Sequence, residues 1–292
     1  MQVTETKTTN VVREIDFNTI KDTVKEMCMQ ANFDLPEDVF QAFRESAKKE
    51  TSPLGKSILE KCIENAEIAK NERVPICQDT GLAVFFIKLG ADVRVKGGIL
   101  PDAINEGVKA GYTEGYLRKS SLGDPLYDRV NTGDNTPAII HLEIVSGDKL
   151  DITFAAKGGG AENMSKVAML PPSAGEEGVI KAVVDAVVSA GGNPCPPTVI
   201  GVGIGGTFEK VAYLAKKALL WPLGKPNTNP KYDQLEKKIL QKINESGVGP
   251  QGLGGNTTSF AVHIETHACH LASLPVAINV NCHAHRHVHR VL

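Results

Sequence analysis

Apolar residues recur at helical spacing through the first quarter of the chain. This pattern predicts one helix over residues 17–31 and a second over residues 36–50, which has acidic residues in its first turn and lysines in its last. A third helix is predicted to begin at Pro53, since proline suits a first helical turn. Together these segments form a predicted helical N-terminal region of about residues 17–72.

From residue 73 onward, short apolar runs alternate with polar loops. Residues 138–145 and 149–157 are predicted to form a hairpin joined at residues 146–148, because serine, glycine and aspartate favour a turn there. Further helices are predicted over 101–116, 176–190, 207–220 and 234–246. Residues 74–90 are predicted to be a loop that runs into an apolar strand, and further strands are predicted over 198–203, 259–265 and 275–282. Alternating helices and strands predict an α/β fold with mixed sheets flanked by helices, in a single domain over residues 1–292.

The numbers of acidic and basic residues limit the kinds of partner that the chain is expected to bind. The 292 residues include 32 Lys and Arg and 34 Asp and Glu, which gives a net charge of −2. This balance argues against a nucleic acid or a membrane surface as partner. The polar N-terminus lacks the apolar core of a signal peptide, and no apolar run is long enough to span a membrane, so a cytoplasmic location is predicted.

The six cysteines divide into groups with different surroundings. Cys28 and Cys62 lie on the apolar faces of predicted helices, where a free thiol is commonly buried. Cys77, Cys195 and Cys282 lie where the chain leaves regular structure, and loop residues from separate segments can converge as metal ligands. Their spacing alone is not specific for a metal cluster, and by itself it favours incidental or buried thiols.

Four longer segments carry a resemblance to a known family. They read ICQDTG, KGGGAENMS, NPCPPTVIGVGIGG and HLASLPVAINVNCHAHR, in this order along the chain. They resemble segments of the class I fumarases and L-tartrate dehydratases, and the resemblance spans roughly residues 20 to 290. It implies an iron–sulfur hydro-lyase fold and the reversible hydration of fumarate to L-malate. The alternative within the family is the dehydration of L-tartrate.

The resemblance also implies the residues of the site. Cys77, Cys195 and Cys282 match the ligands of a [4Fe-4S] cluster with one open iron, which can act as a Lewis acid. Asp79 matches a residue near the transferred hydroxyl, which suggests proton transfer, although an Asp-Thr-Gly turn could serve structure alone. Roles in substrate binding are implied for Gln78, Arg118, Gly159, Gly160 and His270.

The family occurs either as one polypeptide or as separate α and β subunits, and this chain resembles the α subunit. The resemblance therefore implies a separate β subunit that completes the active site around a dicarboxylate substrate. A doubled αβ assembly with two-fold symmetry is the expected oligomer.

Two other motifs suggest different functions. Residues 201–206 fit the G-x-G-x-x-G dinucleotide pattern, but the acidic residue expected about 20 positions later is missing. Alternate histidines from His283 to His289 would share one face of a strand and could bind zinc. His283 also stands where many members of the family carry an aromatic residue. Cys269 matches no ligand and is interpreted as a bystander.

Overall fold

Helices and strands alternate along the chain in the computed structural model, which describes residues 12–292. In chain order the elements are β1 (Arg13–Asp16), α1 (Phe17–Phe33), α2 (Glu37–Lys49), α3 (Pro53–Glu72), β2 (Leu82–Gly90), β3 (Val93–Lys96), α4 (Leu100–Glu114), β4 (Ile139–Val145), β5 (Leu150–Lys157), α5 (Gly159–Glu162), β6 (Lys166–Leu170), α6 (Gly175–Ala190), β7 (Thr198–Gly205), α7 (Phe208–Ala218), α8 (Pro230–Glu245), β8 (Ser259–His267), β9 (Leu274–Asn281) and β10 (His287–Val291). The predicted α/β class, with mixed sheets and flanking helices, is confirmed.

The described chain divides into two compact units. The first comprises residues 12–30, Ala83–Ala155 and Val288–Leu292, and the second comprises Ala31–Leu82 and Ala156–His287. The single domain expected over residues 1–292 stays a prediction, and its first 11 residues lie outside the described part.

The three predicted N-terminal helices are present as α1, α2 and α3, and local chemistry accounts for their ends. The Ser52 side chain accepts the Gly55 N–H at 3.2 Å and so caps α3, with Pro53 in the first turn. In the second unit, Val39 and Phe43 of α2 pack against α3 in a small apolar core. Within residues 12–292, none of the helices is long and apolar enough to cross a membrane.

The first unit contains a four-stranded sheet in the order β10-β5-β2-β4, and this order shows that the predicted hairpin is wrong. The strands β4 and β5 exist, but β2 lies between them and pairs in parallel with β4. The end of β2 enters the gap, since the Gly90 N–H donates to Lys149 O at 2.8 Å and the Ala91 N–H donates to Val145 O at 2.7 Å. Because most of β2 is buried, the central position satisfies its backbone and its side chains together.

The second unit is built on a mixed sheet in the order β6-β9-β7-β8. Its central strand β7 pairs in parallel with β8 and antiparallel with β9, and all eight of its residues are buried. One face of the sheet packs against α6 and α8 through a large cluster of valine, isoleucine and leucine side chains. The helix α7 packs on the sheet through Val211 and Ala215.

The glycines that imitate a dinucleotide motif have a packing role. A Cβ atom on Gly201 would lie 2.0 Å from Ala215 O, and one on Gly203 would lie 2.2 Å from Val211 O. No side chain fits at either distance, so alternate glycines of β7 let α7 approach the sheet closely. This packing accounts for the pattern without a nucleotide.

Candidate functional site

The three loop cysteines lie in the second unit, at the ends of regular elements. Cys77 lies between α3 and β2, Cys195 lies between α6 and β7, and Cys282 directly follows β9. All three are free thiols.

The fold brings these three thiols together. Cys77 and Cys282 pack against one apolar cluster that contains Ala66 and Ala284. The His283 N–H donates to Cys195 O at 3.1 Å, which ties the Cys195 loop to the residue after Cys282. Partial burial of the sulfur raises the pKa of the Cys195 thiol, and the nearby Cys282 and Cys77 raise it further. The Cys195 thiol thus resists ionising unless a cation lies beside it.

The backbone of the Cys195 loop adopts a special conformation. Cys195 has φ of 55°, in the left-handed region that residues with a side chain rarely occupy, and its N–H donates to Gly192 O at 3.0 Å. Gln251 secures the loop, because its backbone N–H and its Nε2 each donate to Pro196 O at 2.8 Å. The loop therefore presents an exposed Cys195 on a well-supported backbone.

Asp79 follows the first of these cysteines and is held between two loops. Its Oδ1 accepts the Gly81 N–H at 2.9 Å, and its Oδ2 accepts the Gly159 N–H at 2.8 Å. Asp79 also contributes to the raised pKa of Cys195, so its carboxylate lies close to the thiols. Gln78, between Cys77 and Asp79, is exposed.

The glycine segment after β5 lies against the same carboxylate. The Gly159 amide is bonded to Asp79, while a Cβ on Gly160 would lie 3.4 Å from Asn193 O, in the loop that carries Cys195. A Cβ on Gly158 would lie 3.1 Å from Asp79 Oδ2. The absence of side chains here lets the Asp79 loop and the Cys195 loop approach this segment closely.

Sequence reasoning missed a buried charge network beside Cys282. Lys157 is 4% exposed, and its Nζ donates to Val280 O at 2.8 Å and lies 3.1 Å from Glu162 Oε2. Burial lowers the pKa of Lys157, an effect that Glu162 and Cys282 oppose. Burial would raise the pKa of Glu162, but Lys157 and Lys216 bring it down to about 2. The sequence feature that could have indicated this network is a lysine that stands between an apolar strand and three glycines.

Arg286 is a second buried cation that sequence reasoning missed. It is 1% exposed, its Nη1 donates to Asn32 Oδ1 at 3.0 Å, and its Nε has no hydrogen-bond partner among the described residues. Its Nη2 would lie 3.8 Å from a Cβ on Gly158, which places the guanidinium close to the Asp79 loop. The sequence feature that could have indicated it is a single arginine within the histidine-rich tail, which otherwise suggested zinc binding.

Two predicted substrate residues lie elsewhere in the chain. Arg118 belongs to the first unit, where it is exposed just after α4. His270 lies in the loop between β8 and β9, where its Nδ1 accepts the Ala272 N–H at 3.1 Å. It lines a cleft with Phe208, Lys210 and Cys269. Their roles in substrate binding stay predictions.

The histidines of the tail do not form the regular row that the sequence suggested. Asn281 Nδ2 lies 2.6 Å from the buried His285 Nδ1, and the exposed His289 lies 3.0 Å from Asp151 in the first unit. His283 Nδ1 lies 3.1 Å from Cys195 O. Only residues from His287 onward are in strand β10. The tail histidines thus point into different environments.

The donor set distinguishes between kinds of metal centre. Residues 12–292 contain no group of three or more His, Cys, Asp or Glu side chains that could hold a metal ion. A zinc ion requires each sulfur within about 2.3 Å of itself. In an iron–sulfur cluster each thiolate binds a different iron, so the sulfurs stand further apart. Three neighbouring free thiols on loops fit a cluster better than a single ion.

Comparison with known proteins gives consistent matches along the chain. Residues 21–291 match the family described as fumarate hydratase (Fumerase). The chain is 42% identical over 271 residues to a Methanocaldococcus jannaschii protein provisionally named L(+)-tartrate dehydratase subunit alpha, which covers 91% of this chain and 95% of that protein. It is 34% identical over 273 residues to L(+)-tartrate dehydratase subunit alpha of Escherichia coli, which covers 92% and 89%. The protein of that name from Shigella sonnei matches with the same identity and coverage.

Proposed function

The chain belongs to the fumarate hydratase (Fumerase) family of hydro-lyases, and from that membership we propose that it is the α subunit of an enzyme that reversibly hydrates fumarate to L-malate. The observation that carries the proposal is the meeting of Cys77, Cys195 and Cys282, from three separate loops, beside the Asp79 carboxylate. In this proposal the three thiols hold a [4Fe-4S] cluster. The cluster, when bound, supplies an open iron that acts as a Lewis acid toward the substrate.

Asp79 is the proposed proton-transfer residue of this chain. Its two oxygens are oriented by the Gly81 and Gly159 amides, which fixes the carboxylate in one position without occupying all of its lone pairs. A carboxylate held in this way can accept a proton from water and return it to a leaving hydroxyl. Because the glycine segment that supports Asp79 also approaches the Cys195 loop, the position of Asp79 is coupled to the thiols.

The other site residues are proposed to bind the dicarboxylate. Gln78 is exposed next to Asp79, and Gly159 and Gly160 are exposed and have no side chains that would block a substrate. Arg118 is proposed to bind one carboxylate through its planar fork, and His270 is proposed to donate a hydrogen bond. These contacts would orient the double bond toward the Lewis acid and the base.

Dehydration of L(+)-tartrate is a second candidate reaction. The observation that favours it is the name of the relatives, which are L(+)-tartrate dehydratase α subunits in both E. coli and S. sonnei. L-Malate and L-tartrate differ by one hydroxyl, so one site chemistry serves either substrate. Elimination from tartrate would give oxaloacetate.

A separate β subunit is proposed to complete the active site. The relatives carry the name subunit alpha, which implies a second subunit in those enzymes. Stereospecific hydration also needs a second proton-transfer group on the opposite side of the double bond, which this proposal assigns to the partner. A two-fold symmetric αβ assembly in the cytoplasm is the proposed setting.

The test is anaerobic reconstitution of the chain with iron and sulfide, with and without the candidate β subunit. Iron and sulfide content, visible absorption, and turnover of fumarate, L-malate and L(+)-tartrate are measured on each sample. We expect a brown protein that turns over substrate only with its partner. A colourless chain would contradict the cluster, and equal turnover without the partner would contradict the two-subunit proposal. Faster turnover of tartrate than of L-malate would select the second candidate reaction.

A further inference from the structure

One edge of the four-stranded sheet in the first unit is apolar and open. The strand β4 ends the order β10-β5-β2-β4, so no strand within residues 12–292 pairs with its outer side. Leu142 is 53% exposed, Ile144 is 72% exposed and Ile139 is 41% exposed. Proteins usually protect an edge strand with charges, proline or a covering segment, because a free edge readily pairs with another chain. The β4 edge carries these three exposed apolar side chains next to the exposed carboxylate of Glu143.

The opposite edge of the same sheet is protected in this usual way. The strand β10 carries the exposed charged side chain of Arg290, together with His289, whose Nε2 lies 3.0 Å from Asp151 Oδ1. Pairing β10 with a second copy about His289 would place two histidines opposite each other and Val288 opposite Arg290. The β10 edge is therefore guarded against pairing with a second copy of itself.

The order of residues in β4 makes the strand complementary to itself. An antiparallel copy centred on Leu142 would pair Ile139 with Val145, Ile140 with Ile144, His141 with Glu143, and Leu142 with Leu142. Every apolar residue then faces an apolar residue, and the histidine faces the carboxylate twice. Opposite polar pairs and apolar pairs across neighbouring strands both stabilise a sheet.

We propose that β4 pairs with β4 of a second copy of this chain, antiparallel and centred on Leu142. The pairing is two-fold symmetric, so each copy uses the same surface and the contact closes at a dimer. Two four-stranded sheets would join into one continuous sheet of eight strands, which lies within the usual size of open sheets.

The charged residues select both the occupant and the register. A shift of the pairing by two residues would place His141 opposite itself in one direction, which removes its pairing with the carboxylate. In the other direction it would place Glu143 opposite itself, and like charges opposite each other are destabilising. On the inner side, Glu143 stands in register with Lys88 of β2, and the His141 ring lies 4.8 Å from the Phe86 ring. The carboxylate would thus lie between Lys88 of its own copy and His141 of the other.

The size of the contact sets its expected strength. A pair of seven-residue strands buries less than the roughly 1,200–2,000 Å² of a standard stable interface. We therefore expect a reversible dimer whose population rises with protein concentration. This surface is independent of the proposed hydro-lyase reaction, since none of its residues belongs to the candidate site.

The first experiment is sedimentation velocity on the anaerobically purified full chain over a range of concentrations. Leu142→Arg places two guanidinium groups at the symmetry axis and should raise the dimer dissociation constant by about tenfold or more. Val291→Arg, at a position 49% exposed on the guarded edge, is the matched control and should leave association unchanged. A wild-type chain that stays monomeric throughout, or equal effects of the two substitutions, would overturn the proposal.

Exchanging the charges of two β4 residues distinguishes a loss of strand pairing from a loss of folding. His141→Glu should weaken the dimer because Glu faces Glu143, and adding Glu143→Lys should restore it because Glu then faces Lys. Hydrogen exchange of residues 139–145 should slow as the wild-type concentration rises. Failure of the double variant to recover, or protection of these residues only after the β subunit is added, would rule out pairing with a second copy.

Discussion

Cys28 and Cys195 carry the same thiol in opposite settings. Cys28 lies on the buried face of α1, where burial raises the pKa of its thiol far above the ordinary value. Cys195 stands exposed on a loop with left-handed backbone, beside Cys77 and Cys282. The helix encloses its thiol in apolar contacts, while the loop presents its thiol next to two others. Position in the fold, rather than the thiol itself, determines which cysteine is available to a metal.

The surroundings of the loop cysteines extend the contrast. A helical cysteine needs only apolar neighbours, whereas the three loops depend on bonds from separate parts of the second unit. Gln251 holds the Cys195 loop, Asp79 joins the first loop to Gly159, and Lys157 bonds to Val280 near the end of β9. Five substitutions test how far this difference between the two settings goes.

Replacing a loop cysteine should have the largest effect. In Cys195→Ser the proposed cluster loses a ligand, so iron and sulfide should fall to background, and activity should fall on the order of a hundredfold or more. Cys28→Ser is the matched control, which should keep its iron while losing about 1–2 kcal/mol of stability to the buried hydroxyl. Metal analysis and chemical denaturation separate the two. Full iron content in Cys195→Ser would show that Cys195 binds iron no more than the buried Cys28 does.

Asp79→Asn should have the next largest effect. The amide keeps the size of the side chain but cannot accept a proton as a carboxylate does, so kcat should fall by about 10²–10⁴ with a smaller change in KM. Asp16→Asn is the control, because Asp16 Oδ1 accepts the Asn18 N–H at 2.8 Å in the same local geometry, far along the chain from the thiols. The pH dependence of kcat is measured for both. Equal losses in the two variants would assign Asp79 a structural role only.

Lys157→Met should destabilise the fold by on the order of 2 kcal/mol. This is less than for a fully buried pair, since Glu162 is partly exposed and keeps Lys216 as a partner. Lys181→Met removes an exposed pair with Asp185 and should cost less than about 0.5 kcal/mol. Urea unfolding at neutral pH measures both, and equal losses would show that burial of Lys157 adds nothing.

The same network predicts a dependence on pH. The pKa of Glu162 falls from 4.5 to about 2 on folding, so the folded chain binds fewer protons there than the unfolded chain. Its stabilisation is therefore present above pH 4.5 and is lost as the pH falls toward 2. Glu162→Gln should flatten this part of the stability profile in unfolding experiments at acidic pH. An unchanged slope would show that Glu162 does not carry it.

Cys62→Ala should have the smallest effect. Cys62 lies in α3, and its pKa rises to about 11 through burial and the nearby Cys195. It should remain protonated at neutral pH and leave iron content unchanged, at a cost of about 1 kcal/mol in stability. Metal analysis and thermal unfolding measure the two quantities. Loss of iron would identify Cys62 as a fourth ligand. Helical and loop cysteines would then no longer differ in metal binding.

Local patterns in the sequence were sufficient to predict the long helices and strands. The helices α1, α2 and α3 follow from apolar spacing and from proline and serine at their starts, and β7 follows from a run that is buried on both faces. The strands β1, β3 and β6 were not predicted, because four or five residues are too few to show an alternating pattern. The place of β2 between β4 and β5 depends on pairing between distant segments, which no local pattern reveals.

The amino-acid sequence by itself determined the α/β class, the separation of two helical cysteines from three loop cysteines, and the family. Each depends on residues that are neighbours along the chain. Only the tertiary structure decided that the three loops meet, that Lys157 and Arg286 are buried beside them, and that β4 and β10 form the two edges of the first unit's sheet. Those facts arise from contacts between segments far apart in sequence, where burial and pairing depend on how the whole chain is arranged in space.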